Sequence, residues 1–243
     1  MYRFLSIFAV LLFSTIALAQ DSIPAGTILP VTLDRTLNPA KLHPGERIRG
    51  EIMQSIPGTV IHRRAMILGR VLESSAAKNG SARLTIAFDK IEFHGRVVPI
   101  RTDLRAVASF IEVQDAQIPE EEASRGMTPE TWTTRQIGGD MVYRGGGPVA
   151  LGDTSVGQPS AYGILGLPAT QPGQPCRGEV AGNTHLQAWW LFSTNACGVY
   201  GLTNVEILHA GRTAPAGQIV LAARQGKLNL AGGTALLLRV EGS

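Results

Sequence analysis

The two cysteines of the chain, Cys176 and Cys197, are the side chains with the most distinctive chemistry. A redox pair is usually separated by two residues, and a zinc site needs further ligands close by. These cysteines are 21 positions apart, with His185 between them. In an exported chain such a pair favours a disulfide, worth about 3 kcal/mol on the chain-entropy model. We therefore predict a Cys176–Cys197 disulfide.

The other side chains with catalytic or ligand chemistry are scattered along the chain. No two of the five histidines lie within five residues of each other, which gives no paired metal-ligand motif. There is no G-x-S-x-G nucleophile motif, and GGDMVYRGGG at 138–147 matches neither phosphate-loop pattern. Acids such as Asp34 with Glu46, or Asp140 with Asp153, would have to converge through the fold. The sequence therefore predicts no catalytic, cofactor-binding or metal-binding residue and no cofactor, leans against an enzyme, and leaves a site built from distant strands open.

The tryptophans are the candidate contact residues. Trp189 and Trp190 lie between the cysteines, and Trp132 lies in a polar segment. If 185–193 is a strand, alternation puts Trp190 on the same face as Phe192 and Trp189 on the opposite face. We predict that Trp190 packs in the core, and that Trp189 and Trp132 belong to a contact surface.

The first twenty residues have the pattern of a secretory signal peptide. Arg3 precedes an apolar run over 4–18, and the small-x-small triplet ALA ends before Gln20. The run is about fifteen residues, whereas a spanning helix needs about twenty. We predict a cleaved signal peptide over 1–19, with an uncleaved anchor as the alternative and no transmembrane helix after removal. The residues that mark cleavage are Ala17, Ala19 and Gln20. The protein is then periplasmic, outer-membrane-associated or extracellular.

The elements that must position these residues are short strands. The chain has 28 glycines and 14 prolines, and 17% of its residues are charged, a composition typical of strands and tight turns. Period-two alternation recurs over 47–52 and 83–93, an apolar run closes the chain at 236–240, and His94-Gly95 fits a hairpin turn. We predict a mainly β fold, a barrel or sandwich of short antiparallel strands, with one or two short helices in the middle.

The chain divides into four regions. The signal peptide (1–19) is followed by an N-terminal β region over 23–112, a polar linker or short helical lid over 113–136, and a Gly-rich C-terminal β region over 137–243. The two β regions form two domains or pack into one. Within the linker, Pro119 followed by acids and Thr128 followed by proline are typical helix starts.

The charge pattern limits the class of partner. The formal net charge is +3, including Arg3 of the signal peptide, and the basic residues form no stripe. We therefore predict no nucleic-acid partner.

The segment IPAGTILPVTLDRTLN, at 23–38, resembles the opening of the β-barrel domain in TrbI/VirB10-type conjugation and type IV secretion proteins. That family has an IPAGT turn, an apolar strand and later an IP-x-G-x-x element that ends in two apolar residues and glycine. Ile67-Leu68-Gly69 fits that ending, with His62 and Arg64 in place of the proline and glycine. The resemblance covers about 23–105 and extends to a broader set of secreted bacterial β-rich proteins. It implies a barrel or sandwich that works in the cell envelope through protein contacts, and it carries over no catalytic residue.

Three function classes follow. The first is a non-enzymatic envelope or secreted β-domain protein that contacts an envelope protein or polymer. The second is a carbohydrate-binding module or adhesin, which needs an exposed row of aromatic rings. The third is a secreted hydrolase of polysaccharide or cell wall, which needs two carboxylates across a groove. The first class is preferred, and the oligomeric state is open.

Overall fold

The computed structural model describes the residues 23–56, 59, 61–76, 81–120, 122, 125–127, 133–138, 141–143, 149–151, 154–157, 189–193, 196–212 and 214–241. The fold is mainly β, as the sequence predicts, and the main sheet curls into a nearly closed barrel. The strands are β1 (Ile28–Leu33), β2 (Arg47–Ile52), β3 (Met66–Ala76), β4 (Ala82–Phe93), β5 (Arg96–Pro99), β6 (Thr102–Ala108), β7 (Thr133–Arg135), β8 (Met141–Tyr143), β9 (Val149–Leu151), β10 (Thr154–Gly157), β11 (Gly198–Tyr200), β12 (Val205–His209), β13 (Ile219–Ala223) and β14 (Ala235–Val240); helix α1 is Phe110–Asp115.

The barrel sheet has the strand order β11-β6-β14-β1-β2-β3-β4-β13-β12, with β5 beside β4. β6 and β11 run parallel, and the other paired strands of this sheet run antiparallel. The Leu104 N–H of β6 donates to the carbonyl of Ala210, just after β12, at 2.6 Å, and this bond brings β6 close to the end of β12. β7 with β8, and β9 with β10, form two separate pairs.

Apolar side chains fill the interior of the barrel. In β2 the predicted alternation is present, because Ile48 and Ile52 are buried while Arg47 and Arg49 are exposed. Alternation of this kind places every second residue of a strand inside a barrel. The largest fully buried side chains of this core are Phe88, Leu29, Leu37, Ile48, Ile52, Ile67, Leu84, Ile86, Ile91 and Ile219.

A second apolar cluster lies on the outer surface of β6 and β14. Leu104 and Val107 of β6 belong to the barrel core, whereas Ala106 and Ala108 of the same strand belong to this outer cluster. β6 is therefore buried on both faces. The small alanine side chains let covering residues approach closely. The covering residues are Val113, Ala116, Ile137, Leu191 and Phe192.

Helix α1 covers one side of this outer cluster. The Ser109 hydroxyl accepts a hydrogen bond from the Glu112 N–H at 3.2 Å and caps the helix N-terminus. The helix begins well before the predicted start at Pro119, which has irregular backbone. Helix α1 forms at 110–115 because the buried Val113 ties it to the barrel.

In the segment after Pro119, Glu122 has 3₁₀ geometry and its carbonyl accepts the Arg125 N–H at 3.0 Å, while 121, 123 and 124 lie outside the described residues, so the helix start at Pro119 stays a prediction. The second predicted start, at Thr128, lies outside the described residues.

The N-terminal prediction also lies outside the described residues, which begin at Ile23. The signal peptide and its cleavage residues, Ala17, Ala19 and Gln20, therefore stay predictions. Among the described residues, no helix has both the length and the hydropathy that crossing a bilayer requires.

Candidate functional site

Helix α1 and the turn that follows it expose three large apolar side chains. Phe110 is 39% exposed, Ile111 is 60% exposed and Ile118, just after the helix, is 55% exposed. We call these three residues the α1 patch. Apolar side chains exposed close together in the chain can mark a contact surface, whereas singly scattered ones are common. The α1 patch is therefore the main candidate contact surface among the described residues.

The α1 patch is held firmly to the barrel. A Cβ built on Gly233, which has a φ of +84°, would lie 2.6 Å from the Phe110 ring, so the ring rests directly on this glycine. The Ser109 N–H donates to the Tyr200 carbonyl at 3.0 Å, and this bond ties the helix start to β11. Such anchoring fixes the direction of the exposed side chains, which lowers the entropy cost of binding a partner.

A buried ionic cluster lies beside β6. Asp103 is fully buried and accepts a hydrogen bond from the Arg212 guanidinium. Burial lowers the pKa of Arg105 to about 10, although the nearby Asp103 opposes this shift. Burial also raises the pKa of Glu241, and its hydrogen bond with Asp103 adds to the effect. Because Asp103 has no exposed surface, the cluster fastens the segment around Gly211 to β6 and does not present an acid to a substrate.

The acids Asp34 and Glu46 each form an ion pair on the surface. Asp34 pairs with Arg49 at 2.8 Å, and Glu46 pairs with Arg35 at 2.9 Å. The His43 N–H and then Arg35 lower the pKa of Glu46. A general acid needs a raised pKa, so Glu46 is unsuited to that role. Asp140 and Asp153 lie outside the described residues.

An open groove lined by β3, β4, β13 and β12 also lacks a pair of acids among its described lining residues. Glu206 lies in this groove and pairs with Arg224 at 2.9 Å. In the described part of the chain, no three histidine, cysteine or acidic side chains come together as metal ligands.

Of the two cysteines predicted to form a disulfide, Cys197 is among the described residues. Cys197 is 3% exposed, and its N–H donates to the Tyr200 hydroxyl at 3.1 Å. Among the described residues no cysteine is free. Cys176 lies outside them, so the Cys176–Cys197 disulfide stays a prediction.

The tryptophan segment forms a turn and not the strand that its alternation predicts. Trp189 and Phe192 exchange two backbone hydrogen bonds of 2.9 and 3.0 Å, and Trp190 has a φ of +57° between them. Both tryptophans are partly buried against the outer cluster, and the Trp189 indole Nε1 is buried without a hydrogen-bond partner among the described residues. The strand prediction is wrong for 189–193. The chain turns there, and Leu191 and Phe192 are buried although they lie in the turn. Trp132 lies outside the described residues.

The α1 patch is absent from the sequence predictions because Phe110 and Ile111 fall at the end of the predicted N-terminal β region and Ile118 falls in the predicted polar linker. The sequence signal is the presence of large apolar residues next to and inside a polar segment; it is not a helical repeat, since α1 ends at Asp115.

Comparison of the chain with protein-family models, curated proteins and solved structures finds no match.

Proposed function

We propose that this protein is a non-enzymatic β-barrel protein, exported to the cell envelope or secreted, that binds a partner protein through the α1 patch. The observation that carries the proposal is the contrast between a barrel interior filled with side chains and an exposed apolar helix outside it. A barrel whose interior is filled with side chains has no room for a ligand inside, so a partner binds on its outer surface. The export part of the proposal rests on the predicted signal peptide.

The N-terminal resemblance to TrbI/VirB10-type barrels supports the same class of function. The IPAGT segment forms a turn before β1, in which the Thr27 hydroxyl donates to the Pro24 carbonyl at 2.6 Å and Gly26 has a φ of +85°. We propose that this turn has the same place as in that family and that the barrel likewise works through protein contacts.

The carbohydrate-binding and hydrolase alternatives receive less support. A sugar-binding platform needs exposed aromatic faces, whereas Trp189 and Trp190 are partly buried against the outer cluster. A glycoside hydrolase needs two carboxylates across a groove. The described acids Asp34, Glu46 and Glu206 are each held in an ion pair with an arginine.

The test is photo-crosslinking at the α1 patch in the native host. A benzoylphenylalanine residue in place of Ile111 is expected to give one defined adduct, identified by mass spectrometry. The same residue in place of Lys41, which is exposed on the β1–β2 connection, serves as the control and is expected to give none.

A second experiment places the crosslinking residue at Gln114 and combines it with Ile111→Asp and Ile118→Asp. These two substitutions place charge in the proposed contact and are expected to abolish the adduct. Equal adducts from positions 111 and 41, or an adduct that survives both aspartates, would contradict the proposal. Circular dichroism of the double variant checks that the barrel is intact.

A further inference from the structure

Two histidines from distant parts of the sequence meet at one end of the barrel. His62 lies in the connection between β2 and β3, and His94 lies in the turn between β4 and β5. Their ring centres are 6.5 Å apart, with an angle of 79° between the ring planes. Both residues are exposed. The sequence leaves open a metal site built from distant strands, and the fold brings these two imidazoles together.

The backbone that carries each histidine of the pair is held in place. The Ala65 N–H donates to the His62 carbonyl at 3.2 Å, and the Arg63 N–H donates to the Ser55 hydroxyl at 3.1 Å. His94 is the first central residue of a tight two-residue turn between paired strands. The two backbone positions are therefore fixed while the exposed rings can rotate, and such preorganisation favours binding of one ion by both rings.

Two other described histidines lie away from this pair. His43 is exposed on the connection between β1 and β2, at the opposite end of the barrel, because β1 and β2 run antiparallel. The His209 Nδ1 is 2.8 Å from the Gln218 carbonyl oxygen and 3.0 Å from the Gly211 nitrogen, so this ring is already hydrogen-bonded within the protein.

The separation of the two rings is close to that of two imidazoles bound to one metal ion. A metal–nitrogen bond of about 2.0 Å places each ring centre roughly 3.2 Å from the ion, so two bound rings have centres at most about 6.4 Å apart. The observed 6.5 Å lies at this limit. A bent nitrogen–metal–nitrogen angle needs the rings roughly 1–2 Å closer, and rotation of two exposed side chains supplies that movement.

We infer that His62 and His94 together bind a divalent transition-metal ion, Cu²⁺ most tightly. Imidazole suits copper, nickel and zinc, whereas magnesium and calcium prefer oxygen ligands, and Cu²⁺ leads the affinity order of the divalent first-row metals. Two ligands on one molecule bind roughly 100-fold or more tightly than either alone. In the described part of the chain no third histidine, cysteine or acid completes the site, so water fills the other coordination positions.

Charged side chains of both signs lie around the two histidines. Arg64 pairs with Glu51 at 3.9 Å, and Glu92 pairs with Lys90 at 3.8 Å. These side chains are exposed, so salt screens their effect on a bound ion. The ion is therefore held by its bonds to two nitrogens and not by the net charge of the surface. The other charged residues close to the pair along the chain are Arg63, Asp89 and Arg96.

The test is Cu²⁺ binding to the untagged protein in the form that the host produces. Calorimetric titration measures the affinity, and pulsed electron paramagnetic resonance counts the imidazoles bound to copper. The wild type is expected to bind one Cu²⁺ through two imidazoles, and Mg²⁺ is expected not to compete. His62→Asn and His94→Asn are each expected to weaken the binding on the order of 100-fold. The double variant is expected to lose no more than either single variant, because loss of one ligand already ends binding by the pair.

The matched control is His43→Asn, which removes an exposed histidine from the opposite end and is expected to bind Cu²⁺ as the wild type does. His185, outside the described residues, is kept in every variant. One bound imidazole in the wild type, wild-type affinity in either pair variant, or equal loss in His43→Asn would overturn the inference. If His62→Asn does not keep the native circular dichroism spectrum, His94→Asn decides, because asparagine suits the φ of +46° at position 94. The inference goes beyond the proposed function, and because these variants leave the α1 patch unchanged, each can fail separately.

Discussion

Gly69 lies at a point where β3 passes close to β4. A Cβ built there would lie 2.0 Å from the Ala87 carbonyl oxygen, and the pairing register shifts between Leu68 and Gly69. The backbone of two central strands must move to admit a methyl group, so we expect Gly69→Ala to lower the free energy of unfolding by about 3 kcal/mol. Urea denaturation measures this loss.

The control is Gly45→Ala, because Gly45 has a φ of +85° but nothing within 4 Å of a built Cβ. That variant carries backbone strain alone, and we expect it to cost about 1 kcal/mol. A Gly69 variant no less stable than the Gly45 variant would show that the β3–β4 contact is not tight.

Glu241 makes stability depend on pH. Burial, and then its hydrogen bond with Asp103, raise its pKa in the folded protein above the ordinary value of 4.5. Between these two pKa values the folded state binds more protons than the unfolded state, so stability falls as pH rises through that window. Because the side chain is largely solvated, the penalty at neutral pH is less than about 1 kcal/mol.

We therefore expect Glu241→Gln to be slightly more stable than the wild type at pH 7. The difference is expected to shrink as pH falls below 4.5, where the glutamic acid is protonated in both states. Denaturation of both proteins across this range measures it, and a difference that is independent of pH would exclude the raised pKa as the cause.

The hairpin between β4 and β5 has a tight two-residue turn. His94 and Gly95 have φ values of +46° and +74°, so both central residues of the turn are in the left-handed region, as a type I′ turn requires. Asparagine tolerates this region better than histidine does, and alanine tolerates it worse than glycine does. We expect His94→Asn to raise the unfolding free energy by about 0.5 kcal/mol and Gly95→Ala to lower it by about 1 kcal/mol. Thermal denaturation measures both, and effects of the same sign would contradict the assigned turn.

A strand that is buried on one face can be predicted from the sequence, because its apolar and polar residues alternate. A strand that is buried on both faces lacks this signal, so the sequence does not show which of its residues point into the barrel. β2 alternates because one side faces the barrel core and the other faces solvent. β6 is buried throughout, since its outer side meets α1 and the tryptophan turn, and even its charged residues Asp103 and Arg105 are buried, so the polar positions of its sequence do not mark a solvent face. α1 is six residues long and is held by tertiary contacts, which explains why local sequence placed helices elsewhere.

The candidate site shows the same limit. Phe110, Ile111 and Ile118 are visible as apolar residues in the sequence, but α1 ends at Asp115, so no helical repeat joins them. Their exposure follows from the way α1 packs on β6 through Val113, which local sequence does not encode.

At the scale of the whole molecule, the two ends of the described chain are joined as neighbouring strands. The Val240 N–H donates to the Thr27 carbonyl at 2.8 Å, and β1 pairs with β14 along its length. We expect a circular permutant that links Glu241 to Ile23 with a short glycine–serine linker, and opens at Gly45, to fold with the native circular dichroism spectrum.

The matched permutant opens within β4, at Thr85, which pairs with both β3 and β13. That permutant is expected not to fold cooperatively. Native behaviour of both permutants, or of neither, would show that the closeness of the chain ends does not matter for the fold.

Synthesis runs from β1 to β14, so the strand that pairs with β1 is the last to be made. The β2–β3 and β3–β4 pairs join segments that are close in sequence and can form early. The pairing of Ile28 with Arg239 forms only after roughly 200 further residues have been made. Sheets that depend on such distant contacts fold slowly. The nascent chain therefore remains an open, incomplete sheet until β14 emerges, and the moment at which β1 gains its second partner is set by the position of a single strand.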